Sequence, residues 1–181
     1  GGLGNDVLAG GTEADQIDGG TGFDTADYST SAAAVTVNLA TNVNTGGEAT
    51  GDVLTSVEGV IGSALHDRLT GDSAANSLDG GDGNDALNGG AGADTLVGGG
   101  GIDSADYAGS ATGVTINLGT GIGTGGDADG DVFVTIENIT GSGFADSLTG
   151  NASANVLDGG AGDDTLAGGV GADTLNGGTG T

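Results

Sequence analysis

The sequence predicts an all-β solenoid, on three observations. A nine-residue unit recurs in strict phase: residues 80–88 read GGDGNDALN, residues 89–97 GGAGADTLV and residues 98–106 GGGGIDSAD. A small or aliphatic residue stands at place eight of each unit. Large side chains are too few for an ordinary globular core: 44 of 181 residues are Gly, and the only aromatics are Phe23, Tyr28, Tyr107, Phe133 and Phe144. A short fixed period means units that stack on their neighbours, and the thin core between stacked coils needs only small aliphatics.

The chain divides, in order, into nonapeptides 1–27, an insert 28–61, nonapeptides 62–106, an insert 107–140 and nonapeptides 141–181. In each unit the first six residues read as a turn and the last three as a short strand. Glycines at places one, two and four permit the tight path of that turn. Place eight points inward. Leu8, Ile17 and Ala26, then Leu69, Leu78, Leu87, Leu96 and Ala105, then Leu148, Leu157, Leu166 and Leu175 form a ladder with a nine-residue rung. Inside the inserts Val35, Val37 and Leu39, and Val114, Ile116 and Leu118, alternate as a half-buried strand does. Val60 stands nine before Leu69 and Ile139 nine before Leu148, so the phase resumes before each insert ends. Polar excursions are expected near 42–52 and 121–131.

The pattern as a whole recurs after 79 residues without insertion or deletion. GGTGFDTADY (19–28) returns as GGGGIDSADY (98–107), and TGGEATGDV (45–53) as TGGDADGDV (124–132). This reads as one continuous segment, 1–181, stacked along one axis. The chain opens on the first Gly of a unit and stops inside another, which reads as a piece of a longer protein.

Place six carries the chemistry. Asp6, Asp15, Asp24, Asp67, Asp85, Asp94, Asp103, Asp146, Asp164 and Asp173 all occupy it. Turn carbonyls pointing inward, together with these carboxylates, make a set of hard oxygens. Calcium takes six to eight such ligands in flexible geometry, so several Ca2+ ions are expected. Zinc would want Cys or His, and the chain has no Cys and only His66. Asn76 and Asn155 hold place six in GDSAANSLD and GNASANVLD, where the oxygen is kept and the charge lost; a weak calcium site and an ion-free Asn ladder are equally open there. Glu58 and Glu137 fall at place six where the phase resumes.

The motif GGxGxDxUx, with U aliphatic, resembles the RTX, or haemolysin-type, calcium-binding repeat. The resemblance implies a right-handed parallel β-roll in which two nonapeptides make one coil and calcium lies between stacked GGxGxD turns. It implies the pairs Asp6–Asp24, Asp67–Asp85, Asp85–Asp103 and Asp146–Asp164, with Asp15, Asp94 and Asp173 on the opposite edge. The competing reading, a flexible Gly/Asp-rich linker, would not keep Gly, Asp and Leu in register.

A formal net charge of −25, from 26 acids against Arg68 alone, opposes compaction unless cations neutralise it, so folding should depend on metal. The same charge argues against nucleic acid and against anionic membrane surfaces. No signal peptide and no apolar span of membrane length is visible. By resemblance, the location expected is extracellular or on the bacterial cell surface, after type I secretion.

Minor signals are weaker. Asp127, Asp129 and Asp131 could hold an extra ion, but a solvated acidic loop is the simpler reading. His66 and Arg68 are replaced by Ala145 and Ser147 in the second copy and read as incidental. Tyr28 and Tyr107 read as plugs where the roll widens, in preference to stacking platforms for sugar. HExxH and GxSxG are absent. The function expected is a calcium-folded structural module of an adhesin, surface-layer or filament-like protein, not an enzyme, with end-to-end association or neighbouring repeats as partners. The alternative is an accessory module of a secreted metalloprotease, lipase or alginate epimerase. Ice binding would need a regular Thr array, which Thr70, Thr95, Thr149, Thr165 and Thr174 do not make.

Overall fold

Strands three residues long are all that a nine-residue unit can supply after a six-residue turn. In the computed structural model, which describes residues 1–180, they fall on places seven to nine: Ser77–Asp79, Ala86–Asn88 and Thr95–Val97 follow one another. Thr181, at the end of the third run, lies outside the described residues. Stacking, not length, makes these segments strands. Each pairs in parallel with the strand two units away, so that Leu78 stands opposite Leu96, Leu69 opposite Leu87 and Leu157 opposite Leu175.

Alternate strands therefore build two faces. One sheet runs through Val7–Leu8, Thr25–Asp27, Gly59–Ile61, Ser77–Asp79, Thr95–Val97 and Val132–Val134. It continues through the antiparallel strand Ile122–Thr124 to Thr115–Asn117, and then in parallel to Ser147–Thr149 and Thr165–Ala167. A second large sheet runs through Thr36–Asn38, Arg68–Thr70, Ala86–Asn88, Ser104–Asp106, Asn138–Thr140, Val156–Asp158 and Thr174–Asn176, and three two-stranded sheets pair Gly2–Leu3 with Gly20–Thr21, Asp82–Gly83 with Gly100–Gly101, and Gln16–Asp18 with Val53–Thr55. The fold is all-β and mostly parallel, as the repeat predicts.

Place-eight side chains fill the space between the faces. Leu69, Leu78, Leu87, Leu96, Leu148 and Leu157 are completely buried, and Leu8 and Leu166 pack against them from the margins. Each buried Leu contributes about 2 kcal/mol in transfer free energy. Leu175 departs from the expectation. It is 47% exposed, because its strand is outermost in its sheet and has a neighbour on one side only.

The inserts widen single coils without breaking the stack. Within a run, paired residues are 18 apart; across the first insert Gln16 faces Val53, Thr25 faces Gly59 and Thr36 faces Arg68. The second insert repeats this with Thr95–Val132, Ser104–Asn138 and Thr115–Ser147. Val35 and Val37 are buried as their alternation predicts, and so are Val114 and Ile116. The excursions are less polar than expected. Short 3-10 turns at Gly47–Ala49 and Gly126–Ala128 bury Ala49 and Ala128, and Leu54 and Phe133 then take rungs opposite Ile17 and Leu96. Tyr28 and Tyr107 are buried in the widened section, where no ligand could stack on them.

One consequence of the register is not visible in the repeat itself. Between a strand and its counterpart 79 residues later, the chain crosses between faces an odd number of times. Thr25–Asp27 and its counterpart Ser104–Asp106 lie in different sheets, as do Thr36–Asn38 and Thr115–Asn117. The two inserts consequently sit on opposite sides.

Candidate metal centres

The turn at 80–85 shows how the repeat builds a site. Gly81 and Gly83 have φ of 90° and 138°, values open to Gly but strained for other residues. The path they permit folds the Asp85 carboxylate back over its own turn. Its Oδ1 accepts the backbone N–H of Asp67 at 2.8 Å, from the turn one coil away. Its Oδ2 is buried and has no hydrogen-bond partner. A Cβ on Gly80 would stand 2.3 Å from this Oδ2 and 2.7 Å from the carbonyl oxygen of Gly98, in the turn of the following coil. Place one is glycine because carboxylate and carbonyl oxygens converge there.

The geometry recurs along both edges. Asp6, Asn76, Asp85, Asp146 and Asn155 donate their backbone N–H to Oδ1 of Asp24, Asp94, Asp103, Asp164 and Asp173, each 18 residues on, at 2.7–3.0 Å. Oδ2 of Asp6, Asp24, Asp94, Asp103 and Asp164 is also buried without a partner. Asp15 and Asp173 are partly buried and lie against Gly10 and Gly168 in the same way. Asp67 and Asp146 differ. They open a run after an insert, and both oxygens are taken: Oδ1 by the N–H of Val35 or Val114 and the hydroxyl of Ser63 or Ser142, Oδ2 by the N–H of the same serine.

Within each run the expected pairs stack and their neighbours lie opposite. Across the inserts the edges exchange. Asp94 shares the edge of Asp6 and Asp24, while Asp173 shares that of Asp67, Asp85 and Asp103, because each insert carries the chain through an odd number of crossings; the strand after Asp15 pairs with Val53–Thr55 in a sheet of its own.

Among the described residues no three His, Asp or Glu side chains come together as a metal cluster. Any ion here must therefore draw on backbone carbonyls as well as carboxylates. The donor set is oxygen throughout, which fits calcium and not zinc. The electrostatics point the same way. Burial pushes the Asp85 and Asp94 carboxyls up to about 6 and raises Asp103, Asp131 and Glu137, so ionising them without a counter-charge is unfavourable. The side chain of Arg68 is committed elsewhere, 3.6 Å from Asp106 on the surface.

Some of the ladder escapes the repeat pattern. Asp52 and Asp131 are buried in it: their Oδ1 accepts the N–H of Asp15 and Asp94, and their Oδ2 the hydroxyl of Tyr28 and Tyr107. Asp131 is thus not part of a solvated loop. The signal was the shared GDV at 51–53 and 130–132, one residue too far from the preceding GG to fit the frame. Asn76 and Asn155 accept the N–H of Asp72 and Asn151 and donate an amide N–H to the carbonyls of Glu58 and Glu137. A donor already faces the oxygen that a cation would need. His66 accepts the N–H of Asn84 at 2.6 Å through Nδ1, a structural contact between coils.

The family model for the RTX calcium-binding nonapeptide repeat matches residues 1–26, 61–96, 70–105, 136–166 and 149–181, well over half of the chain. The chain belongs to this family, and is a calcium-binding repeat module. No curated protein matches it. No helix among the described residues is long and apolar enough to cross a membrane.

Proposed function

We propose that this chain is one continuous roll whose calcium ions lie between stacked turns, held by place-six carboxylates and place-one carbonyls. The observation that carries the reading is the set of six buried aspartate oxygens with no hydrogen-bond donor, each beside a glycine whose missing Cβ leaves room. A buried unpaired carboxylate is costly, and a divalent ion removes that cost. Asp6, Asp24, Asp85, Asp94, Asp103 and Asp164 are the principal ligands; Asp15 and Asp173 complete the edges. Asp67 and Asp146, already saturated by the serines, contribute through their turns' carbonyls.

The module folds on meeting calcium outside the cell, as a spacer or assembly segment of a bacterial surface or secreted protein, and has no catalysis of its own. Sites made of turn carbonyls and carboxylates suit the weak affinities of extracellular modules, roughly 10⁻⁴–10⁻³ M. Calorimetric titration tests the reading. Several calcium ions should bind, and Asp85→Ala should lose sites while Asp82→Ala, altered at an exposed position of the short strand Asp82–Gly83, should not. Equal loss in both would refute the assignment.

A further inference from the structure

We propose that each insert closes a calcium site of its own, in which Glu58 or Glu137 replaces the place-six aspartate and the carbonyl of Ser56 or Thr135 replaces that of the place-one glycine. This rests on the calcium reading above and goes beyond it, because these ligands come from sequence outside the nonapeptides.

In an ordinary coil the oxygen facing an aspartate Oδ2 belongs to the glycine that opens the following turn, as Gly98 does for Asp85. Asp24 and Asp103 have no such glycine ahead of them: the following turn is the end of an insert, reading Thr55-Ser56-Val57 or Val134-Thr135-Ile136. The oxygen is nevertheless supplied. A Cβ on Gly19 would meet the Ser56 carbonyl oxygen at 2.0 Å and Asp24 Oδ2 at 2.8 Å; on Gly98 it would meet the Thr135 carbonyl oxygen at 2.2 Å and Asp103 Oδ2 at 2.5 Å. Presenting these carbonyls requires left-handed backbone at Ser56 (φ 51°) and Thr135 (φ 50°). A β-branched Thr seldom adopts it, and such strain persists where the surroundings impose it.

The acidic side chain is supplied as well. Glu58 Oε2 accepts the N–H of Asp24 at 2.9 Å and Glu137 Oε2 that of Asp103 at 3.0 Å, the bond that Asp103 itself makes to Asp85. Asp24 and Asp103 are completely buried, and their Oδ2 atoms are without a hydrogen-bond partner. On the far side of each glutamate the amide of Asn76 or Asn155 occupies the carbonyl, so the site lies between aspartate and glutamate and not beyond. The whole arrangement occurs twice, on opposite edges, with Ser exchanged for Thr and Val for Ile.

Native mass spectrometry in calcium, with circular dichroism to verify the fold, tests it. Glu58→Gln and Glu137→Gln keep an oxygen for the N–H and remove the charge. Each should lower the ion count by one and the double variant by two, while Glu48→Gln, an exchange on the surface of the same insert beside Thr30, should lower it by none. On the unaltered protein, anomalous diffraction from terbium-substituted crystals should place a metal against the Ser56 and Thr135 carbonyls. A full ion count in the double variant, or no anomalous peak at either carbonyl, overturns the inference. If Asp85→Ala loses an ion while the double glutamate variant loses none, only this inference fails; if the unaltered chain binds no calcium, the reading beneath it fails too.

Discussion

Tyr107 donates its hydroxyl to Oδ2 of Asp131, and Tyr28 does the same to Asp52 at 3.0 Å, in each case 24 residues along the chain. In Asp6, Asp24, Asp85, Asp94, Asp103 and Asp164 the equivalent oxygen is buried without a hydrogen-bond partner. Burial raises both phenol pKa values, so the hydroxyls remain protonated and able to donate. Each insert thus satisfies one buried carboxylate with an O–H, where those six have no donor.

Removing that hydroxyl should be costly. Tyr107→Phe leaves Asp131, which is completely buried, with an unmatched oxygen, and should destabilise the calcium-loaded protein by about 1–3 kcal/mol. Thermal unfolding in excess calcium measures it; a midpoint equal to the parent's would show that the bond contributes nothing.

Calcium should drive folding. With a charge of −25 and six unpaired buried oxygens, the chain in EGTA should show little β structure by circular dichroism and gain it in millimolar calcium. Magnesium should substitute poorly, since it demands tighter octahedral geometry. An equally strong β spectrum in EGTA would contradict this.

Acid should partly replace calcium. Asp85 and Asp94 are raised from 3.8 to about 6 in the folded chain, so folding takes up protons. Their contribution to the stability of the metal-free fold is fully present below 3.8 and lost as pH rises through about 6. In EGTA the β signal should therefore be stronger near pH 4 than at pH 7. In calcium the trend should reverse, because protons compete for the same oxygens and weaken binding below about pH 6.

Gly80→Ala should abolish the site at Asp85. The backbone at Gly80 is outside the left-handed region, so Ala is conformationally acceptable; only the crowding against Asp85 Oδ2 and the Gly98 carbonyl opposes it. Calorimetry should show a lost ion. An unchanged count would mean that ions do not lie there.

Leu87→Asp should unfold the local roll, and Asn88→Asp should be tolerated. Truncating a completely buried Leu costs about 2–5 kcal/mol even before a charge is added. Asn88 accepts the N–H of Gly90, and Asp79 and Asp158 already perform that task for Gly81 and Gly160. Limited proteolysis in calcium distinguishes the variants, and equal cleavage would refute the inward direction of place eight.

The nonapeptide frame was legible because each of its positions does one physical job. Leu69, Leu78 and Leu87 face inward, the place-one glycines make room for oxygens, and Asp85 and Asp103 bond across coils. What could not be read were features created by stacking. Nothing in the local sequence around Asp67 says that Ser63 and Val35 saturate it, since Val35 stands 32 residues earlier. Asp52 and Asp131 were hidden by one extra residue in the frame. The strained carbonyls of Ser56 and Thr135 have no motif, because any residue has a carbonyl and only the backbone angle aims it.

The odd number of crossings in a 79-residue copy gives the molecule a parity. Deleting a single nonapeptide from a run would leave the local turn chemistry intact yet send every aspartate downstream to the other edge, where the stack above it no longer offers a matching turn. Deleting two would restore the match. Whole copies obey the same arithmetic: one added copy presents its insert to the opposite side, and a second returns it to the first. Growth by tandem duplication thus yields a two-sided strip, with successive inserts facing away from each other.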